Sequence, residues 1–207
     1  MKGKFITFEG CEGVGKSKQI KMLCDYLEKH RIKYLLTREP GGTTISEKIR
    51  EIILDSSNSK MTAECEALLY ASARAQLLNE VISKALKEGQ LVICDRYIDS
   101  SFAYQASARG LGYDFVEKIN AYAIENFMPD KTIFLNLSPK EAFKRKGGAD
   151  TGDRVEMAGI EFHEKVYQGY LYLAEKYKER IINIDASGER METHNKIISS
   201  LKSADIL

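Results

Sequence analysis

Apolar residues fall along the chain in two alternating kinds of run. Short, unbroken runs rich in β-branched and aromatic side chains alternate with longer stretches whose apolar positions recur every three or four residues. Residues 4–9 (KFITFE) make the first short run and stop at Gly10, which predicts a buried strand. Beyond a glycine-rich turn, Ile20, Leu23, Cys24 and Leu27 recur at helical spacing and predict a helix over residues 16–29. Residues 33–37 (KYLLT) predict a second strand. Pro40-Gly41-Gly42 then breaks the chain, and Ile45, Ile49, Ile52 and Ile53 mark another helix. Residues 63–87 predict a long helical stretch ended by Gly89. Residues 91–95 (LVICD) are apolar up to the final Asp, as a central strand covered on both faces requires. Residues 113–126 predict a helix and residues 131–137 (KTIFLNL) a fourth strand, after which Ser138-Pro139 has the form of a helix start. Phe162, Val166, Tyr170, Leu173 and Tyr177 share one helix face. Residues 180–184 (RIINI) predict a fifth strand, and residues 189–201 a closing helix.

This alternation predicts an α/β fold, a five-stranded parallel sheet with helices on both faces. The 207 residues suit a single domain, 1–207. Residues 146–152 (KGGADTG) are glycine-rich, polar and flanked by Lys144, Arg145 and Arg154, which suggests a short mobile lid over about 144–154, or else a plain surface loop. Lys plus Arg is 31 and Asp plus Glu is 30, a net charge of +1. A nucleic-acid binder would show a basic excess, so no nucleic-acid partner is expected, and any anion site must be a local cluster of cations. Cys11, Cys24, Cys65 and Cys94 have neither C-x-x-C spacing nor nearby His ligands, and are expected to be reduced thiols in a cytoplasmic protein. The first residues are too short and polar for a signal peptide, and no stretch approaches a membrane span.

The chemistry begins at Gly10-Cys11-Glu12-Gly13-Val14-Gly15-Lys16-Ser17, which fits G-x-x-x-x-G-K-[ST]. It follows a predicted strand and opens a predicted helix, as a phosphate cradle must. The glycines let backbone N–H groups converge on phosphate oxygens, and the helix N-terminus adds its positive end. Lys16 would reach the β- and γ-phosphates of ATP, and Ser17 would hold Mg²⁺. The N-K-x-D string of a guanine-specific GTPase is absent, since Asn195-Lys196-Ile197-Ile198 lacks its Asp, and so is the L-S-G-G-Q of a transporter ATPase. A compact chain with one such loop favours a small-molecule kinase.

Further strings carry a family resemblance. Phe8-Glu9-Gly10 through Lys16, Thr37-Arg38-Glu39-Pro40-Gly41-Gly42-Thr43, and Asp95-Arg96-Tyr97 followed by Ser101, Ala103, Tyr104 and Gln105 resemble the bacterial thymidylate kinases, from Phe5 to about Asp185. The resemblance implies a P-loop kinase fold. It implies transfer of a phosphoryl group from ATP to dTMP, giving dTDP for dTTP synthesis, with Mg²⁺. It also implies a cytoplasmic homodimer.

It nominates Arg50 and Arg96, with Arg38 nearby, for the acceptor phosphate. An arginine's planar fork grips phosphate oxygens in two places. Glu47, three residues before Arg50, offers an intrahelical ion pair as the alternative. Asp95 resembles the carboxylate that supports Mg²⁺, and Glu12 the acidic residue facing the sugar 3′-OH and the metal. Residues 67–74 resemble the helix that holds the pyrimidine. Tyr70 would stack on thymine and Arg74 would hydrogen-bond it. Ser101 and Gln105 would read its polar edge, and Tyr104 would pack on the deoxyribose and exclude a 2′-OH. Arg145 would lie near the adenine. The lid centre carries no arginine, so the candidate cations for the transferred phosphate stand at its ends, Lys144, Arg145, Lys146 and Arg154, of which the resemblance implies Arg154. The departures are Lys18, where the family often has Thr, and Tyr70, where many members have Phe. A sister kinase for dUMP or a deoxynucleoside, and an inactive nucleotide-binding protein on the same fold, are the competing readings. The base pocket decides the first. The intact Lys16, Ser17, Asp95 and Arg96 argue against the second.

Overall fold

The computed structural model describes residues 3–145 and 153–207; the expected centre of the lid, residues 146–152, lies outside them. Five strands form one sheet: β1 (Lys4–Glu9), β2 (Tyr34–Arg38), β3 (Leu91–Asp95), β4 (Lys131–Asn136) and β5 (Ile181–Asp185). All pairings are parallel, in the order β2-β3-β1-β4-β5. Burial follows that order. Leu91, Val92, Ile93 and Cys94 of β3 and Phe5, Ile6 and Phe8 of β1 are sealed on both faces, whereas the edge strands β2 and β5 bury few positions. Where the two central faces carry polar groups, they are paired: Thr7 and Thr132 share a hydrogen bond of 2.8 Å inside the sheet.

The predicted α/β, five-stranded parallel sheet is therefore present. Helix α1 (Lys16–Lys29) has the expected bounds and turns Ile20, Leu23, Cys24 and Leu27 inward. The long stretch 63–87 is helical throughout, as α3 (Ala63–Leu77), a π-helical turn (Leu78–Ile82) and α4 (Ser83–Lys87). It is preceded by α2 (Thr44–Leu54), whose cap Thr43 accepts from Ser46 N. The helix expected over 113–126 is broken into α6 (Tyr113–Ile119) and α7 (Ala121–Asn126) at Asn120. Sequence patterning missed the helical segment after β3 altogether. It runs as α5 (Ile98–Ser101) and a π-helical stretch, Phe102–Ala108, and carries three expected site residues. Its polar spacing gives no simple 3.6 period because the turns are wider. Helices α8 (Pro139–Arg145), α9 (Ile160–Lys176) and α10 (Arg190–Ser203) complete the fold. Helix α9 crosses the π-helical stretch at Gly169, where a Cβ would stand 3.0 Å from both Ala103 Cα and Ser107 Cβ. The two backbones meet there because a side chain is absent.

Parallel register brings the carboxyl ends of three strands to one edge. Phe8 pairs with Asp95, and Arg38 pairs with Asp95 from the other side. The glycine loop after β1, the Arg96 turn after β3 and the Glu39-Pro40 turn after β2 therefore share one crevice.

Candidate functional site

The loop from Gly10 to Ser17 links β1 to α1. Gly13 adopts φ +76°, and a Cβ there would lie 3.0 Å from the carbonyl oxygen of Ala142, so α8 walls the cradle at a point only glycine fits. Lys16 is buried and donates to the carbonyls of Gly10 and Cys11, both at 3.2 Å. Burial and the neighbouring Arg96 lower its pKa. The ammonium is thus held at the mouth of the loop by weak carbonyl contacts that a phosphate could replace. Cys11, sealed behind the loop, has its thiol pushed up to about 12 by burial and stays inert.

The crevice opens into a cavity of about 200 Å³. Glu12, Lys16, Ser17, Arg38, Arg50, Tyr70, Arg74, Asp95, Arg96, Ser101, Tyr104 and Gln105 all line it, so the expected acceptor residues converge from five separate segments. Arg96 is its hub. The residue sits at φ +67°, and its guanidinium donates to Gly10 O at 3.0 Å, Tyr170 Oη at 3.2 Å and Glu12 Oε1. It also lies 5.2 Å from the centroid of Tyr104, a cation–π contact. A positive φ on a large side chain is strained, and here it aims a cation into the cavity. Behind Arg96 lies Glu9, wholly buried, which accepts from Tyr97 N, Ser100 Oγ and Tyr170 Oη. Burial, with Asp99 nearby, raises Glu9 to about 7.

The Arg50 alternative resolves against the intrahelical pair. Glu47 instead grips Arg38 with contacts of 2.7 and 3.1 Å and takes Gly42 N at 2.7 Å, while Arg50 donates to Pro40 O at 2.9 Å. Arg74 is 2 % exposed and its donors are shared widely. Nε reaches Glu39, one terminal nitrogen reaches Ser101 Oγ and Asn120 Oδ1, and the other reaches Tyr97 O and Glu39. Arg74 therefore orients Ser101 as well as facing the cavity. Ser101 accepts from Arg74, which leaves its own O–H free to donate. The break at Asn120 that patterning missed is what delivers the Asn120 side chain to Arg74.

Two lid-end cations are not among the residues that line the cavity. Arg154, expected at the transferred phosphate, turns instead toward α2 and α3. It donates to Ile53 O at 2.8 Å and to Glu66 Oε2 at 2.6 Å. The reason is electrostatic: Glu66 is a carboxylate 1 % exposed, whereas the cradle already gathers Lys16 and Arg96. Arg145 donates to the carbonyls of Ala186 and Ser187, in the loop after β5. Asp153, next to Arg154, lines the cavity.

Asp95 and Ser17 suit a hard cation. Oδ1 of Asp95 is buried with no hydrogen-bond partner in the protein, and both residues line the cavity. Among the described residues, no group of three or more His, Cys, Asp or Glu side chains is placed to hold a metal.

Glu66, Asn120 and Asp153 escaped sequence reasoning. Glu66 left one trace: it lies four residues before Tyr70 and eight before Arg74, on the same face of one helix. Comparison with known proteins supplies the family. The family profile described as Thymidylate kinase matches residues 8–197. A thymidylate kinase of Thermoanaerobacter sp. (strain X514) is 46% identical over 202 residues, 98% of each chain. That of Clostridium novyi (strain NT) is 49% identical over 188 residues, covering 90% of this chain and 92% of its own. That of Geobacillus sp. (strain WCH70) is 48% identical over 189 residues, 90% of each.

Proposed function

The chain belongs to the thymidylate kinase family, and from that premise we propose that it phosphorylates dTMP to dTDP with ATP and Mg²⁺ at the crevice between the glycine loop and α3. The observation that carries this reading is the convergence of Lys16, Arg96 and Glu12 in one cavity with Tyr70, Ser101 and Gln105. A cradle for a donor and a slot for a planar base are thereby joined.

The acceptor phosphate is largely a dianion at neutral pH and needs no general base. One of its oxygens attacks the γ-phosphorus of ATP in line. The new P–O bond forms as the bond to the β-phosphate oxygen breaks, and ADP leaves with that electron pair. Repulsion between the two anions is the obstacle, and fixed cations in a shielded cleft offset it. Lys16 serves the donor phosphates and Arg96 the acceptor, with Arg38 and Arg50 at its flank. Glu12, bonded to Arg96, keeps that guanidinium oriented. Ser17 and Asp95 would hold Mg²⁺, which would supply positive charge against the negative charge that develops on the donor phosphates. Tyr70 stacks on the base, and Tyr104 excludes a 2′-OH. Arg145, held at the loop after β5, suits the adenine side.

We further assign a homodimer, supported by apolar side chains exposed on α2, α3 and α7 (Ile52, Leu68, Tyr122). A cytoplasmic setting is supported by four free cysteines. Among the described residues, no helix is long and apolar enough to cross a membrane. The test is a coupled ADP-release assay with ATP, Mg²⁺ and a panel of dTMP, dUMP, dCMP, dGMP and AMP. Turnover should be strongest with dTMP, and Lys16→Ala should lower kcat by about 10²–10³-fold. Preference for another acceptor would refute the base-pocket assignment.

A further inference from the structure

Glu66 is 1 % exposed and lies behind Gln105, on the helix face that carries Tyr70 and Arg74. Three side chains donate to it. Gln105 gives Nε2 to Oε1 at 2.9 Å, Arg109 gives two N–H at 3.1 and 3.0 Å, and Arg154 gives one at 2.6 Å. We propose that Glu66 is a positioning residue for acceptor specificity, fixing the amide of Gln105 so that its carbonyl faces the base and accepts only an imide N–H. The inference rests on the function proposed above and concerns how the same site tells thymine from cytosine.

The argument starts from charge. Burial alone would raise the carboxyl of Glu66, but hydrogen bonds from Arg109, Gln105 and Arg154 outweigh it and hold the pKa below its ordinary value. An ionised carboxylate has no proton to give, so Gln105 must turn its NH₂ toward Glu66. The other end of that amide, Oε1, is then set toward the cavity that Gln105 lines, and among the described residues no donor engages it. Rotating the amide by half a turn would press Oε1 against the carboxylate, two acceptors face to face. The two arginines that keep Glu66 ionised thus also forbid the flip.

Ser101 stands one turn earlier. Its oxygen accepts from Arg74 at 3.0 Å, so its hydroxyl proton remains to donate. The pocket therefore shows the base a donor beside an acceptor. Thymine presents the complement, a carbonyl O4 beside N3–H. Cytosine presents the reverse, an amino group beside a bare N3, and would meet like against like at both positions. Rejection by unpaired or opposed polar groups discriminates far better than shape.

The probe pair is dTMP and 5-methyl-dCMP, which keep the methyl group and differ only along this polar edge. In Glu66→Gln the new amide can donate to Oε1 of Gln105, so the flip becomes permitted. The ratio of kcat/KM for dTMP over 5-methyl-dCMP should fall by about 10- to 100-fold. Gln105→Met should lower the ratio similarly, and the double variant no further, because both act through one amide. A merely structural role for Glu66 would lower both kcat/KM values together and leave the ratio unchanged. A ratio within twofold of the parent in a cooperatively folded Glu66→Gln would overturn the inference. If that variant does not fold, Glu66→Asp decides: it keeps a charge for both arginines but withdraws from Gln105 by one carbon, and the same fall is expected. A parent enzyme that does not turn over dTMP would overturn the functional reading and this inference with it, whereas turnover with an unmoved ratio overturns the inference alone.

Discussion

Replacing Arg74 with Met should unfold this protein at a markedly lower temperature, and the loss should depend on pH. The side chains of Arg74 and Glu39 are 2% and 3% exposed, with 2.7 Å between their closest atoms. Methionine fills much of the stem but leaves the Glu39 carboxylate without its counter-charge, and one of its oxygens already has no hydrogen-bond partner. Breaking a buried pair from one side destabilises by about 3–5 kcal/mol. For a chain of this size, about 2–4 °C of Tm per kcal/mol puts the fall at about 6–20 °C. Burial raises Glu39 from 4.5 to about 6 even with Arg74 opposing the shift. A carboxyl whose folded pKa lies above its unfolded one favours folding below pH 4.5, and that advantage disappears as pH rises through 6. Without Arg74 the folded pKa climbs further, so the variant keeps losing stability above pH 6, where the parent has levelled off. Thermal unfolding of both proteins without ligand should show a smaller gap at pH 5 than at pH 8. Adding Glu39→Gln should recover a good part of the loss at pH 8. A Tm fall below 2 °C, or a gap independent of pH, would refute the account of Arg74 as the counter-charge of a buried carboxylate.

Gly13→Ala should combine a left-handed backbone with a Cβ 3.0 Å from Ala142 O. About 1–2 kcal/mol of strain corresponds to a Tm fall of about 2–8 °C, and the KM for ATP should rise as α8 is pushed off the cradle; an unchanged KM would show that α8 yields freely. Asp95→Asn should leave the fold intact and raise the Mg²⁺ concentration for half-maximal activity by about 10-fold or more. Equal Mg²⁺ curves for parent and variant would remove Asp95 from the metal site.

What could be known from the chain without its fold is the local part. Runs of Phe5, Ile6 and Phe8, or of Leu91 to Cys94, make strands because they bury both faces. The spacing from Gly10 to Ser17 makes a cradle because glycine geometry, a helix start and a lysine are all near neighbours in sequence. The residues nominated from family strings meet in one crevice for the same reason: each string is contiguous. Tertiary structure alone decided the rest, because those contacts join residues far apart. Glu66 meets Gln105, Arg109 and Arg154 across 39, 43 and 88 positions, and Arg74 meets Asn120 across 46. No periodicity records such pairings. Arg154 shows the consequence. The family resemblance nominated it for the transferred phosphate, and a buried carboxylate on another helix holds it here, because an uncompensated buried charge costs more than any local preference can offset.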